Sequence, residues 1–187
     1  MRTIYWKVEY PSPPSILRHC KKCGKTMRFF SSGLFRVNAN GRYLDIWLIY
    51  RCESCQTTWN MEVYSRISPQ GLPASLLQGF ETSDSSLAMR YALDFALLKR
   101  NGAVPGEIPF TVVGEDLAAA EETRLHLSSE YPSPVRVSAV LRQKLGWSAK
   151  QFERAVERKQ IVSADGRDLK KCRMSQDWII ICRPESM

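Results

Sequence analysis

The sequence predicts an α+β fold in three parts: an N-terminal antiparallel zinc ribbon, a helical middle segment and a small C-terminal α+β domain. Three observations predict it. Two Cys-x-x-Cys pairs bracket a Trp- and Tyr-rich stretch, helix signals follow a Pro- and Gly-containing break, and two basic helices with short strands come last. We place the zinc ribbon at 1–67, the helical linker segment at 68–134 and the C-terminal domain at 135–187.

The two cysteine pairs predict a closed metal site. Cys20 and Cys23 form the first pair, Cys52 and Cys55 form the second, and 28 residues separate Cys23 from Cys52. Four thiolates about 2.3 Å from one ion make the tetrahedral shell of structural zinc. A redox Cys-x-x-Cys and an iron–sulfur cluster are the alternatives, and the spacing and the lack of a following helix pattern favour zinc. We therefore predict one structural Zn²⁺ ion, with His19 beside the site and not a ligand.

The stretch between the cysteine pairs predicts antiparallel strands. Asn40 and Gly41 lie between two runs of β-branched and aromatic residues, which is a strong hairpin signal. A third strand follows the second pair, and residues 3–10 are a candidate fourth. Gly24 directly follows the first pair, where such a turn often needs a positive φ. Gln56 takes the equivalent place after the second pair, where a positive φ is less favourable for a residue with a side chain.

The middle segment predicts two helices and no catalytic site. Residues 82–102 form a capped amphipathic pattern that ends at a glycine, and residues 115–127 predict a second, mostly acidic helix. His126 lies in that second pattern and is interpreted as structural. Because the sequence offers no set of nucleophile and base and no open metal position, we predict that the protein is not an enzyme.

The C-terminal domain predicts two helices, at about 136–145 and 148–159, followed by short strands. Most of the basic residues lie off the apolar faces of these helices. Lys150 and Arg154 are one helical turn apart and can contact adjacent phosphates.

This domain resembles the αL RNA-binding motif first seen in a small-subunit ribosomal protein. Residues 136–138 resemble its opening, residues 145–151 (LGWSAKQ) its turn and residues 160–171 (QIVSADGRDLKK) its hairpin. In that family the basic helix face and the hairpin rim grip structured RNA by its backbone. The resemblance implies five RNA contacts: Arg136, Lys150, Arg154, Lys170 and Lys171. The sequence departs from the motif around Lys159, where glycine is usual, and at Ala149, where arginine is frequent.

Over nearly its whole length the chain is also similar to an uncharacterised family of bacterial proteins with an N-terminal four-cysteine ribbon. The residues that carry this similarity are FRVNANGRYLDIWLIYRC at 35–52, TTWN at 57–60 and the C-terminal stretch. No activity is established for that family, so the resemblance implies none.

Composition and charge narrow the class of function. The chain is 44% hydrophobic and 25% charged, which is ordinary for a globular protein, and its apolar runs are too short to cross a bilayer. Without an export signal we expect a cytoplasmic location, where six cysteines are not disulfide-bonded. The last two, Cys172 and Cys182, are interpreted as buried apolar residues and not as a second metal site.

The net charge of +8 is unevenly distributed. Residues 1–66 carry 11 Lys and Arg against 4 Asp and Glu, residues 67–134 carry 4 against 9, and residues 135–187 carry 12 against 6. Two basic ends around an acidic middle favour a polyanionic partner. Around the cysteine pairs, cations and aromatic residues are interleaved, and the sequence leaves open whether they bind a ligand or only alternate between solvent and core: Lys21, Lys22, Lys25, Arg28, Phe29, Phe30, Arg36, Arg42, Tyr43, Trp47 and Arg51.

Together these patterns predict a non-catalytic, zinc-containing protein that binds structured RNA and acts at the ribosome or near it. The alternative is a protein-interaction or transcription-associated adaptor, in which the ribbon presents its strands to a protein partner. We expect neither a membrane partner nor a small-molecule substrate.

Overall fold

The protein is described by a computed structural model that covers residues 1–117 and 121–184. Within these residues it is a mixed α+β protein with two five-stranded sheets. It forms two compact units. The inserted unit is Ser12–Pro109, and the terminal unit combines Met1–Pro11 with Phe110–Met187. Every helix among the described residues falls short of the length and apolar content that a bilayer crossing requires.

The strands and helices are short and are numbered in chain order. The strands are β1 (Arg2–Glu9), β2 (Ile16–Cys20), β3 (Lys25–Asn40), β4 (Tyr43–Cys52), β5 (Thr58–Ile67), β6 (Val104–Pro105), β7 (Thr111–Gly114), β8 (Thr123–Ser129), β9 (Ile161–Ser163) and β10 (Trp178–Cys182). The helices are α1 (Ala74–Glu81), α2 (Ser85–Ala92), α3 (Phe95–Arg100), α4 (Val137–Leu145) and α5 (Ala149–Glu157), and a single 3₁₀ turn lies at Pro69–Gly71.

The sheet of the inserted unit has the order β5-β4-β3-β2-β6 and is antiparallel throughout. The predicted hairpin is confirmed as β3–β4, with Asn40 paired to Tyr43. The two-residue loop is therefore Gly41-Arg42, and Gly41 has a φ of 62° at its first position, where a II′ turn takes glycine. The predicted third strand is confirmed as β5.

Three helices cover one face of this sheet. Their buried residues Phe80, Ala88 and Leu98 join the same core as Ile46 and Leu48 of β4. The helix predicted at 82–102 is in fact two helices, because the side chain of Asp94 accepts a hydrogen bond from the Leu97 amide at 2.9 Å and starts α3 afresh.

The sheet of the terminal unit has the order β7-β1-β8-β10-β9. In this sheet β1 lies between β7 and β8, and it pairs with β7 antiparallel and with β8 parallel. Residues 3–10 were a candidate fourth strand of the ribbon. They instead belong to the sheet of the terminal unit. Ile4, Trp6 and Val8 are at most 1% exposed, so one side of β1 lies in the core.

The prediction of a helix at 115–127 is wrong over its second half, because residues from Thr123 onward form the strand β8. Leu125 and Leu127 are buried while Arg124 and His126 are half-buried, an alternation with the period of a strand. Residues 118–120, in the first half of that prediction, lie outside the described residues. Pairing with β1 and β10 decides the conformation here, and tertiary pairing overrides the helical propensity of the acidic stretch.

The two helices predicted in the C-terminal domain are confirmed as α4 and α5. Gly146 ends α4 in the left-handed conformation, with a φ of 66°. Ser148 then starts α5 with a capping box, in which its hydroxyl accepts from the Gln151 amide and the Gln151 side chain accepts from the Ser148 amide. Phe152 and Ala155 form the buried side of α5.

The compact units divide the chain differently from the three predicted parts. The predicted boundary after residue 67 lies inside the inserted unit, since α1–α3 cover the sheet that the ribbon strands form. The boundary after residue 134 lies inside the terminal unit, because β7 and β8 belong to its sheet. A sheet with one apolar face needs a covering layer, and that layer comes from the segment predicted as a linker.

Candidate metal centre

Each cysteine pair lies in the turn of a hairpin. Cys20 ends β2 and Cys23 precedes β3, while Cys52 ends β4 and Cys55 precedes β5. The two turns have the same backbone. The amide four residues after the first cysteine donates to that cysteine's carbonyl, at 2.9 Å in the first turn and 3.1 Å in the second.

The residue that makes this hydrogen bond is in the left-handed conformation in both turns. Gly24 has a φ of 68° and Gln56 a φ of 58°. The prediction that the second turn places a non-glycine residue where glycine is more comfortable is therefore confirmed.

Pairing between the two hairpins brings the turns together. Phe29 of β3 lies opposite Cys52 of β4, and the Glu53 amide donates to the Arg28 carbonyl at 3.0 Å. The register of β3 on β4 therefore carries the second cysteine pair to the first.

The four sulfurs form one cluster that could hold a metal ion, since all of them lie within 4.8 Å of one another. Cys20 Sγ is 3.5 Å from Cys55 Sγ, and Cys23 Sγ is 3.9 Å from Cys52 Sγ. A tetrahedral ion with metal–sulfur bonds of 2.3 Å requires sulfurs about 3.8 Å apart. The two distances of 3.5 and 3.9 Å are close to this value.

Hydrogen bonds within the cluster shift the pKa values of Cys55 and Cys23 in opposite directions. The Thr57 hydroxyl, 3.2 Å from Cys55 Sγ, donates to its thiolate and, with the Thr57 amide, lowers the pKa of Cys55 to about 6. Hydrogen bonding to Cys55 and burial raise the pKa of Cys23 to about 12. Protons shared in this way within a sulfur cluster are what a divalent cation displaces when it binds.

The neighbouring histidine lies outside this cluster. His19 is exposed on β2, and it is not among the four residues whose donor atoms converge. Of the two remaining cysteines, Cys182 is buried, as predicted, and burial raises its pKa to about 12. Cys172 is only half-buried.

The five residues implied for RNA contact all lie in the terminal unit. Four of them are exposed and Lys170 is half-buried: Arg136, Lys150, Arg154 and Lys171 are the exposed ones. Lys170 Nζ is 4.0 Å from a Glu157 carboxylate oxygen, and Lys171 Nζ is 3.8 Å from one of Asp168. Within the described part of the chain, the other three make no salt bridge.

One arginine that the sequence reasoning missed lies beside this group. Arg173 forms an isolated antiparallel bridge with Arg136, and both residues are exposed. The Arg173 guanidinium donates to the Pro134 carbonyl at 3.3 Å. No local sequence pattern identifies this pair, because the two residues are far apart in the sequence and only folding brings them together.

Comparison with known protein families identifies one family that this chain matches. A family model described as a protein of unknown function (DUF1062) matches residues 37–167, which include Cys52, Cys55 and both C-terminal helices. No curated protein and no solved structure gives a significant match to the chain. Because the matched region covers well over half of the sequence, the chain belongs to the DUF1062 family of proteins of unknown function.

Proposed function

We propose that this protein is a non-catalytic RNA-binding protein whose inserted unit is a zinc ribbon held by one structural Zn²⁺ ion. The support for zinc is the donor set, because four cysteine sulfurs at tetrahedral spacing suit Zn²⁺. A shell of four protein thiolates has no open position for water or substrate, so the ion stabilises the fold and supplies no chemistry.

The observation that carries RNA binding is the arginine pair of the terminal unit. Arg136 and Arg173 lie directly opposite each other and are both exposed. Like charges directly opposite across strands are destabilising, and a bound phosphate would offset that repulsion. Lys171 is two residues from Arg173, and its side chain is 86% exposed. These three cations make a phosphate-binding patch.

Helix α5 of the same unit carries two further exposed cations. Lys150 and Arg154 are exposed on one side of the helix, a turn apart, and its buried side is held by Phe152 and Ala155. Cations at such spacing can contact successive phosphates of a folded RNA without reading its sequence.

The backbone of the terminal unit supports the αL resemblance. Two helices, α4 and α5, are followed by a β9 strand that pairs with β10. Lys159 lies between α5 and β9 with a φ of 55°, in the left-handed conformation that glycine adopts most easily. This is the place where the sequence departs from the motif's usual glycine.

The test is binding of a fluorescein-labelled RNA hairpin to the full zinc-loaded chain, followed by fluorescence anisotropy over a range of salt concentrations. We expect the double variant Lys150→Glu and Arg154→Glu to bind at least about tenfold more weakly, and the slope of log K against log salt to fall by about 2, since two phosphate contacts are lost. The loss should be similar for hairpins of different sequence.

The matched control is Lys99→Glu with Arg100→Glu, which makes the same charge change at exposed positions of α3 in the inserted unit. If both double variants lose the same affinity, binding depends on net charge alone and the proposed surface is wrong. A purified protein that is free of nucleic acid and carries one polypeptide instead would favour the adaptor function.

A further inference from the structure

Within the described residues, α1–α3 pack on one face of the inserted-unit sheet and not on the other. Ile16, Phe29, Leu48 and Met61 are buried on the face that the helices cover. The strand residues between them point to the opposite side, which we call the open face. Large apolar side chains are exposed there, Leu17 at 42% and Phe30 at 45%.

The strand register sorts the cations and aromatic residues around the cysteine pairs. Phe29 is 2% exposed and belongs to the core. Phe30 and Trp47 are on the open face, Phe30 exposed and Trp47 half-buried. The arginines listed with them alternate in the same way, so that three lie on the open face: Arg28, Arg36 and Arg51.

Two aromatic residues of the open face have an arginine directly opposite on the neighbouring strand, whereas Tyr43, on the same side of β4, lies opposite Asn40. Phe30 pairs with Arg51, and Trp47 pairs with Arg36. Directly opposite residues have Cβ atoms about 5 Å apart, so ring and guanidinium form one contact surface. Trp47 and Arg51 are both on β4, four residues apart, which separates the two pairs by about 13 Å at 3.3 Å per residue.

This surface carries both signs of charge, since Glu62 of β5 lies directly opposite Trp47 and Asp45 is on the same side of β4 as Trp47. Arg28 is paired with Glu53 at 2.9 Å, but among the described residues neither Arg36 nor Arg51 has an acidic partner within salt-bridge distance. The turn of the first cysteine pair adds two more exposed cations at one end of the sheet, Lys21 and Lys22.

We propose that the open face binds an unpaired, single-stranded segment of RNA. Phe30 and Trp47 are the rings on which bases stack, and Arg36 and Arg51 contact the phosphates between them. Every base has a π-face, so stacking of this kind tolerates any sequence, and basic side chains beside the rings neutralise the backbone. The choice of RNA over DNA rests on the proposed function.

A protein partner fits this surface less well. Protein interfaces are depleted in lysine, whereas two exposed lysines, Lys21 and Lys22, lie in the turn at the end of this sheet. Positive charge around exposed rings is complementary to a chain that carries one phosphate per base.

The exposed face of the other sheet also carries an exposed aromatic ring. Tyr5 is 66% exposed on β1, and its ring centroid is 5.0 Å from that of His126. Two cations of this unit are paired with acids, since Lys7 is 3.2 Å from Glu9 and Arg183 is 3.2 Å from Glu122. Tyr5→Ala is therefore the matched control for the loss of an exposed ring.

The experiment measures fluorescence anisotropy of two labelled probes with the full zinc-loaded chain: an oligouridylate of about 12 nucleotides, within the site sizes of single-strand binders, and the RNA hairpin used above. Phe30→Ala should weaken oligouridylate binding about tenfold, the cost of losing one stacked base, and Phe30→Leu should do the same because it keeps apolar bulk without a ring. Arg36→Glu with Arg51→Glu should also weaken it. Zinc content and the unfolding midpoint confirm that each variant is folded.

The two proposals fail in different ways. If the wild-type protein binds the hairpin but not the oligouridylate, or if Phe30→Ala and Tyr5→Ala bind the oligouridylate equally well, the open-face inference is wrong and the proposed function stands. If Lys150→Glu with Arg154→Glu leaves hairpin binding intact while Phe30→Ala still weakens oligouridylate binding, the inference stands and the α5 surface is wrong. Equal binding of oligothymidylate would overturn the choice of RNA, and capture of an acidic protein in place of either probe would overturn both.

Discussion

The two compact units build the same kind of sheet by different means. In the inserted unit, five antiparallel strands come from one continuous stretch of chain, and four cysteines converge where two hairpin turns meet. In the terminal unit, β1 from the start of the chain pairs with β8, more than a hundred residues later. The difference shows that the first unit is built from local turns around a cysteine cluster that could hold an ion, whereas the second is built from long-range pairing of apolar strands.

This contrast extends to the core of each unit. In the terminal unit, Trp6 is 1% exposed, and its indole Nε1 donates to the Glu115 carbonyl at 2.6 Å. In the inserted unit, Cys20 and Cys52 are buried in the same core as the apolar residues, so the proposed metal shell continues that core.

The largest effect should come from removing one sulfur of the cluster. Cys52→Ser breaks the four-thiolate shell, and since structural zinc contributes its binding free energy directly to folding, the inserted unit should lose its fold. We expect zinc, measured by elemental analysis, to fall from one equivalent to none, and hydrogen exchange protection to be lost from β2–β5. Cys172→Ser in the terminal unit is the control and should keep both. A Cys52→Ser protein that retains one equivalent of zinc would remove the basis of the contrast.

A smaller effect should come from the core of the terminal unit. Trp6→Ala deletes a fully buried ring, and such truncations cost about 3–5 kcal/mol. We expect denaturant unfolding of the terminal unit to shift by this amount while the zinc content is unchanged. Tyr5→Ala, on the exposed side of the same strand, should stay within about 0.5 kcal/mol. Loss of zinc from Trp6→Ala would show that the two units do not have separate sources of stability.

The smallest effect compares the two turns of the metal cluster. Gln56→Gly relieves a left-handed non-glycine residue but also removes a hydrogen bond from its side chain to the Glu53 carbonyl, so we expect a stabilisation of about 0.5 kcal/mol. Gly24→Ala imposes the same conformation on alanine, where no atom lies within 4 Å of the added Cβ, and should destabilise by about 1 kcal/mol. The unfolding midpoint of the zinc-loaded protein measures both. Equal midpoints for all three proteins would show that the turns carry no strain.

Local patterns were sufficient where the chain folds locally. The cysteine pairs, the hairpin at Asn40 and Gly41 and the capped start of α5 at Ser148 were all predicted, because each depends on residues within a few positions of one another. The same reasoning predicted the wrong sheet for β1 and a helix where β8 lies. The alternating pattern of an eight-residue strand does not show which strand it will pair with. A short apolar pattern beside an acidic stretch is compatible with both a strand and a helix.

By itself the sequence determined which four residues can hold an ion and that the chain is α+β. Ligand spacing and turn formation depend on residues that are close together in the sequence. Only the tertiary structure decided which aromatic rings are buried and which face solvent, and that Arg136 meets Arg173. The physical reason is that a strand offers both of its faces equally until its partners and its covering helices are in place. The free energy that chooses between them comes from burial against residues far away in the chain.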